Sequence, residues 1–126
     1  MRIVDSVGWI AYLTKAPMAD AYEKFIATPE DLVTPAIVLY EVYRHVFRTS
    51  GESGGKLALS AMVKTRLVPL TSGLAVAAAQ VSVDHRLPLA DSVIYATALA
   101  YEATVVTSDA HFKGLPQVEF IPRISE

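Results

Sequence analysis

The sequence predicts a mixed α/β fold with a mostly parallel sheet, and three observations carry that expectation. Short β-branched apolar runs alternate with stretches of helical periodicity. Helix-start signals, Asp5-Ser6 and Pro35, directly follow two of those runs. The resulting order is strand, helix, helix, three times over, with a closing strand; that order demands crossover connections, which are right-handed.

Each element has its own warrant. Ile3-Val4 is a short apolar run of the kind buried in a parallel sheet. Asp5-Ser6 supplies an N-cap, and Val7 to Leu13 has helical spacing. Pro17 opens a second helix through Tyr22, Phe25 and Ile26, which stops before Pro29. Leu32-Val33-Thr34 is the next strand. Pro35 begins a long helix to about Thr49, since a first-turn proline sacrifices no hydrogen bond. Ser50 to Gly55 is expected to be the most flexible stretch, separating that helix from another over Lys56 to about Thr65. Leu67 to Leu70 is a third strand, ended or placed at an edge by Pro69. Ser72 to His85 and Leu89 to Tyr101 are helices joined by a kink at Pro88. Thr104 to Thr107 is a fourth strand, followed by a turn at Ser108-Asp109, and Val118 to Phe120 is a candidate fifth. No linker or repeat divides residues 1–126, so a single domain is expected.

Composition narrows the chemistry. There is no cysteine, which excludes disulfides, thiolate metal sites and a cysteine nucleophile. No apolar run reaches the roughly 18 residues that span a bilayer, and the N-terminus does not resemble a signal peptide, so a soluble, cytoplasmic protein is expected. The net charge of −2 is unusual for a protein that handles nucleic acid. A cluster of acids neutralised by a divalent cation would account for that balance. Gly51 to Lys56 fails as a phosphate loop, because no Ser or Thr follows Lys56 and the segment follows a helix.

Four acids stand out by position. Ligands of an open parallel sheet bind beyond the carboxyl ends of its strands. Asp5 follows the first strand at once, and Asp109 lies two residues beyond the fourth. If those strands are neighbours, the two acids share one edge. Glu41 and Asp91 interrupt helices that are otherwise apolar, and ionised carboxylates are seldom buried unless paired or bound to metal. Mg²⁺ and Mn²⁺ favour hard oxygen ligands, and such an ion acidifies water and stabilises charge on phosphate. Without the ion the acids repel one another, and at least one carboxyl should have a raised pKa.

Four segments together resemble the signature of PIN-domain nucleases: Val4 to Ser6, Thr34 to Val42, Leu89 to Ala98 and Val106 to Phe112. The size is similar to that of VapC toxins of toxin–antitoxin pairs. The resemblance spans nearly the whole chain and implies a three-layer α/β/α PIN-like domain with four to five strands. It implies a Mg²⁺- or Mn²⁺-dependent endoribonuclease acting on RNA such as tRNA, rRNA or mRNA. Asp5, Glu41, Asp91 and Asp109 would be its metal-binding acids, with Ser6 and Thr107 as hydroxyl partners. A cognate VapB-like antitoxin and a homodimer are implied as well.

Plainer roles compete at each position. Asp5 and Asp109 also suit helix caps, and Glu41 also suits a pair with Arg44 or His45. Arg44 and Arg48 are candidates for RNA phosphate contact and equally for a solvated face. His111 is a candidate for assisting at the active site, although a lone loop histidine is more often incidental. Trp9, Tyr12, Phe25, Tyr40, Tyr43 and Phe47 read as core, dimer contact or partner groove. Two other functions remain open: a PIN fold that binds RNA or protein without catalysis, and a receiver-like phospho-acceptor. The latter needs a lysine after its last strand, where this chain has Pro122-Arg123.

Overall fold

The computed structural model describes residues 1–124. In chain order the first elements are β1 (Arg2–Val4), α1 (Ser6–Leu13), α2 (Ala19–Ile26), β2 (Val33–Pro35) and α3 (Ala36–Met62). They are followed by β3 (Arg66–Val68), α4 (Ser72–His85), α5 (Leu89–Ala100), β4 (Thr104–Thr107) and β5 (Val118–Phe120). Single 3-10 turns at Pro29–Asp31 and Ala110–Phe112 complete the chain as described.

All strand pairs are parallel. β1 pairs with β4, β4 with β5, and β2 with β3. The expected sheet of four to five strands is therefore drawn as three strands plus two. A single parallel bridge, Arg2 to Leu32, joins the groups and sets β2 beside β1. The strands are only three or four residues long, so few ladder positions are available between β1 and β2. The chain leaves β1 in one direction, towards β2 and β3, and returns to place β4 and β5 on its other side. The sheet reverses between β1 and β4, where α/β folds open a crevice.

Burial follows the sequence pattern. Ile3, Val4, Val33, Val105 and Val106 are essentially inaccessible, as expected for strands covered by helices. Trp9 and Tyr22 of α1 and α2, Val38 and Val42 of α3, and Ile94 and Tyr95 of α5 close the core around them.

The Ser-Gly stretch corrects the sequence-based expectation. The helical path breaks at Gly51 alone, where φ is 70°, and resumes at once as the second part of α3. A positive φ is open to glycine without a Cβ clash. The next glycines serve packing instead: a Cβ on Gly55 would lie 3.0 Å from the ring of Tyr43. Composition suggested slack; the glycines in fact bring two helical segments close together.

Gly8 has the tightest such role. A Cβ there would stand 2.5 Å from the Tyr22 ring and 2.7 Å from Val4. Gly8→Ala is expected to destabilise the fold by about 1–3 kcal/mol, the usual effect of overpacking, measurable as a lower urea midpoint. An unchanged midpoint would mean that α1 and α2 are packed less tightly than described.

Candidate active site

The end of β1 and the end of β4 are stitched together. The Asp5 N–H donates to the Val106 carbonyl at 3.3 Å, extending the β1–β4 ladder by one step. Asp5 then caps α1, its Oδ1 accepting from the Gly8 N–H at 3.0 Å. Its other oxygen, Oδ2, accepts a short hydrogen bond from the Thr107 hydroxyl at the end of β4. Thr107 Oγ1 in turn accepts from the Asp109 N–H at 2.9 Å. One hydroxyl thus links the acid after β1 to the acid after β4. Both acids are caps, because Asp109 also accepts from the His111 N–H at 2.9 Å to start the 3-10 turn. The plain reading of these two residues is correct and does not compete with a site role.

Asp91 enters from the first turn of α5 and meets Asp109. The His111 ring closes the group, its Nδ1 lying 2.7 Å from Asp109 Oδ1 and 3.4 Å from Asp91 Oδ2. One donor atom from each of Asp91, Asp109 and His111 fits within 4.8 Å of the others. Glu41 is half-buried on α3, and its charge is felt at Asp5. Neither Arg44 nor His45 forms an ion pair with it among the described residues.

The electrostatics show crowded negative charge. Burial pushes the Asp5 carboxyl up to about 6; the Thr107 and Gly8 hydrogen bonds oppose this, and the charges of Asp109 and Glu41 add to it. Asp91 is raised to about 7, by burial first and then by Asp109. Burial also acts to raise Asp109. Hydrogen bonds from the His111 backbone, the Asp91 carboxyl and the His111 ring outweigh it, so Asp109 is held below its ordinary value. The Asp91–Asp109 pair therefore shares one proton near neutrality, carried by Asp91.

Other expected residues lie at or outside this group. Ser6 opens α1, half-buried beside Asp5, with no hydrogen bond to the acids. Arg44 and Arg48 are exposed on α3, and no ion pair joins them to the acids. A 650 Å³ cleft lined by Tyr12, Lys15, Asp20 and Glu23 contains none of Asp5, Glu41, Asp91 and Asp109. One contributor was set aside in the sequence reading and another escaped it. His111 carried only one signal, the Asp-x-His spacing after a strand. Tyr22, buried under the site, bonds Ser108 Oγ at 2.6 Å and so ties α2 to the loop bearing Asp109.

The model of the PIN domain family matches residues 2–117. The chain belongs to the PIN-domain family. Among solved structures, the PIN chain is similar to one in a toxin–antitoxin complex from Klebsiella pneumoniae, with a TM-score of 0.82 at 18% identity, covering 94% of this chain and 96% of that one. It is also similar to the sarcin–ricin-loop-cleaving toxin VapC20 of Mycobacterium tuberculosis, with a TM-score of 0.79 at 20% identity and coverage of 97% and 100%. A chain of DNA-bound VapBC from Salmonella typhimurium follows at 0.74, with 14% identity and coverage of 97% and 98%. At such identities the likeness establishes the fold. No curated protein matches in sequence.

The donor set of the PIN site suits a small divalent cation. It offers carboxylate oxygens, no thiolate, and two carboxyls raised to about 6 and 7, by burial first and by neighbouring negative charge second. No helix among the described residues is long and apolar enough to cross a membrane.

Proposed function

We propose that this PIN domain is a Mg²⁺- or Mn²⁺-dependent endoribonuclease, the cytoplasmic toxin of a VapBC-type pair. The observation that carries the reading is the convergence of Asp5, Asp91 and Asp109, with the charge of Glu41 felt at Asp5, where the sheet reverses between β1 and β4. Asp5, Asp91, Asp109 and Glu41 would hold the ion. When bound, it supplies the positive charge that acidifies water and steadies charge on a scissile phosphate. The residues do the rest. Thr107 holds Asp5 and Asp109 in register, Gly8 fixes the other Asp5 oxygen, and Glu41 completes the site or orients the attacking water. The cognate antitoxin finds support in the toxin–antitoxin assemblies among the structural neighbours. It is also supported by an exposed aromatic row on α3, where Tyr40 and Phe47 are each at least half exposed. A homodimer and an RNA substrate complete the proposal.

In-line attack by water leaves 5′-phosphate and 3′-hydroxyl ends. Purified protein incubated with RNA and Mg²⁺ or Mn²⁺ is expected to yield fragments that ligate directly to an adaptor requiring a 5′-phosphate. Fragments ending in 2′,3′-cyclic phosphate would overturn the mechanism. Intact RNA under both metals would overturn the activity.

A further inference from the structure

We propose that His111 is a nitrogen ligand of the metal centre and biases it towards Mn²⁺ over Mg²⁺. The inference rests on the metal-dependent reading above and adds to it a donor that the four-acid pattern lacks.

Three observations support it. The first is distance. Donor atoms at adjacent corners of an octahedron with bonds of about 2.1 Å are about 3 Å apart. The His111 Nδ1 lies 2.7 Å from Asp109 Oδ1 and 3.4 Å from Asp91 Oδ2, which brackets that spacing. The second is aim. The ring nitrogen nearest the acids is Nδ1, the same atom for both carboxylates. When a cation displaces the proton that Nδ1 shares with Asp109 and the ring keeps its proton on Nε2, Nδ1 turns a lone pair towards the space between the two acids. The third is how the ring is held. Asp109 caps the 3-10 turn through the His111 N–H, so residues 109 and 111 present their side chains on one side by backbone construction. The ring is 55% exposed, whereas Asp91 and Asp109 are 14% and 25% exposed. The imidazole forms the solvent-side rim above a carboxylate floor.

Ligand chemistry then sets the preference. Mg²⁺ takes hard oxygen donors and gains little from imidazole. Mn²⁺ lies on the transition series, where nitrogen donors add affinity. A centre with one imidazole among its carboxylates discriminates between the two ions more than carboxylates alone do.

The experiment is Mn²⁺ binding to full-length protein followed by electron paramagnetic resonance, with Mg²⁺ as competitor. Spin-echo spectra of the wild type with Mn²⁺ should show modulation from a directly bound imidazole nitrogen. His111→Ala should lose that modulation and bind Mn²⁺ at least about tenfold more weakly, with a smaller loss for Mg²⁺. His111→Asp should restore binding but shift the ratio towards Mg²⁺. A wild-type spectrum without nitrogen modulation overturns the ligand assignment, whatever the variants do, and leaves the nuclease reading standing. So does an unchanged Mn²⁺/Mg²⁺ ratio in both variants. A wild type that binds neither ion overturns the metal-dependent reading itself.

Discussion

Asp91→Asn is expected to reduce RNA cleavage at least about 100-fold, the upper end of what lesser metal-site perturbations cause, while leaving the fold intact. The side chain keeps its size and its place in the first turn of α5. What it loses is a negative charge held against Asp109 in a half-buried setting, where the carboxyl is raised to about 7. Metal-free Asp91→Asn should therefore be at least as stable as the wild type at pH 8. Loss of function with retained or improved stability marks a residue kept for chemistry at the expense of the fold. Cleavage assays alongside thermal melts in EDTA would show it. Full activity in the variant would remove Asp91 from the site. An unfolded variant would make it a structural residue.

The second large effect is on pH. In metal-free protein, Asp5 titrates at about 6 and Asp91 at about 7, both above the usual carboxylate range. Between pH 4 and 7 the folded state thus binds more protons than the unfolded state. Stability must then fall as pH rises through that window. Asp109, held low, has the opposite sign, and its contribution is lost only on strong acidification. Keeping Asp5 ionised at pH 8 costs about 3 kcal/mol relative to the unfolded chain. For a domain of this size that corresponds to about 10 °C in Tm. Melts in EDTA should therefore show a lower Tm at pH 8 than at pH 5, and excess MgCl₂ or MnCl₂ should reverse the difference. A Tm that is flat or rises from pH 5 to 8 without metal would show that burial and like charge do not raise these carboxyls.

Most of the architecture could be read from residue pattern because its signals are local. The runs Ile3-Val4 and Thr104 to Thr107 are buried strands by composition alone, and Asp5 and Pro35 mark the helix starts that follow. The positions of Asp5 and Asp109 followed from strand ends, given that β1 and β4 are neighbours, and they are. What was not legible depends on contacts between distant residues. Gly55 looks like slack until Tyr43 is seen against it. That β1 and β2 meet through a single bridge is a matter of tertiary placement, which no periodicity records. His111 has no periodic context and acquires meaning only when α5 brings Asp91 to it. Tyr22 looks like any core aromatic until its hydroxyl is found on Ser108.

The tie between Thr107 and Asp5 joins residues 102 positions apart. Contacts of that span form late, after local helices, because the loop-closure entropy must first be overcome. On a translating ribosome the carboxylates therefore cannot gather until more than a hundred intervening residues have emerged. The candidate site therefore assembles only with closure of the sheet, after nearly all of that span has been made.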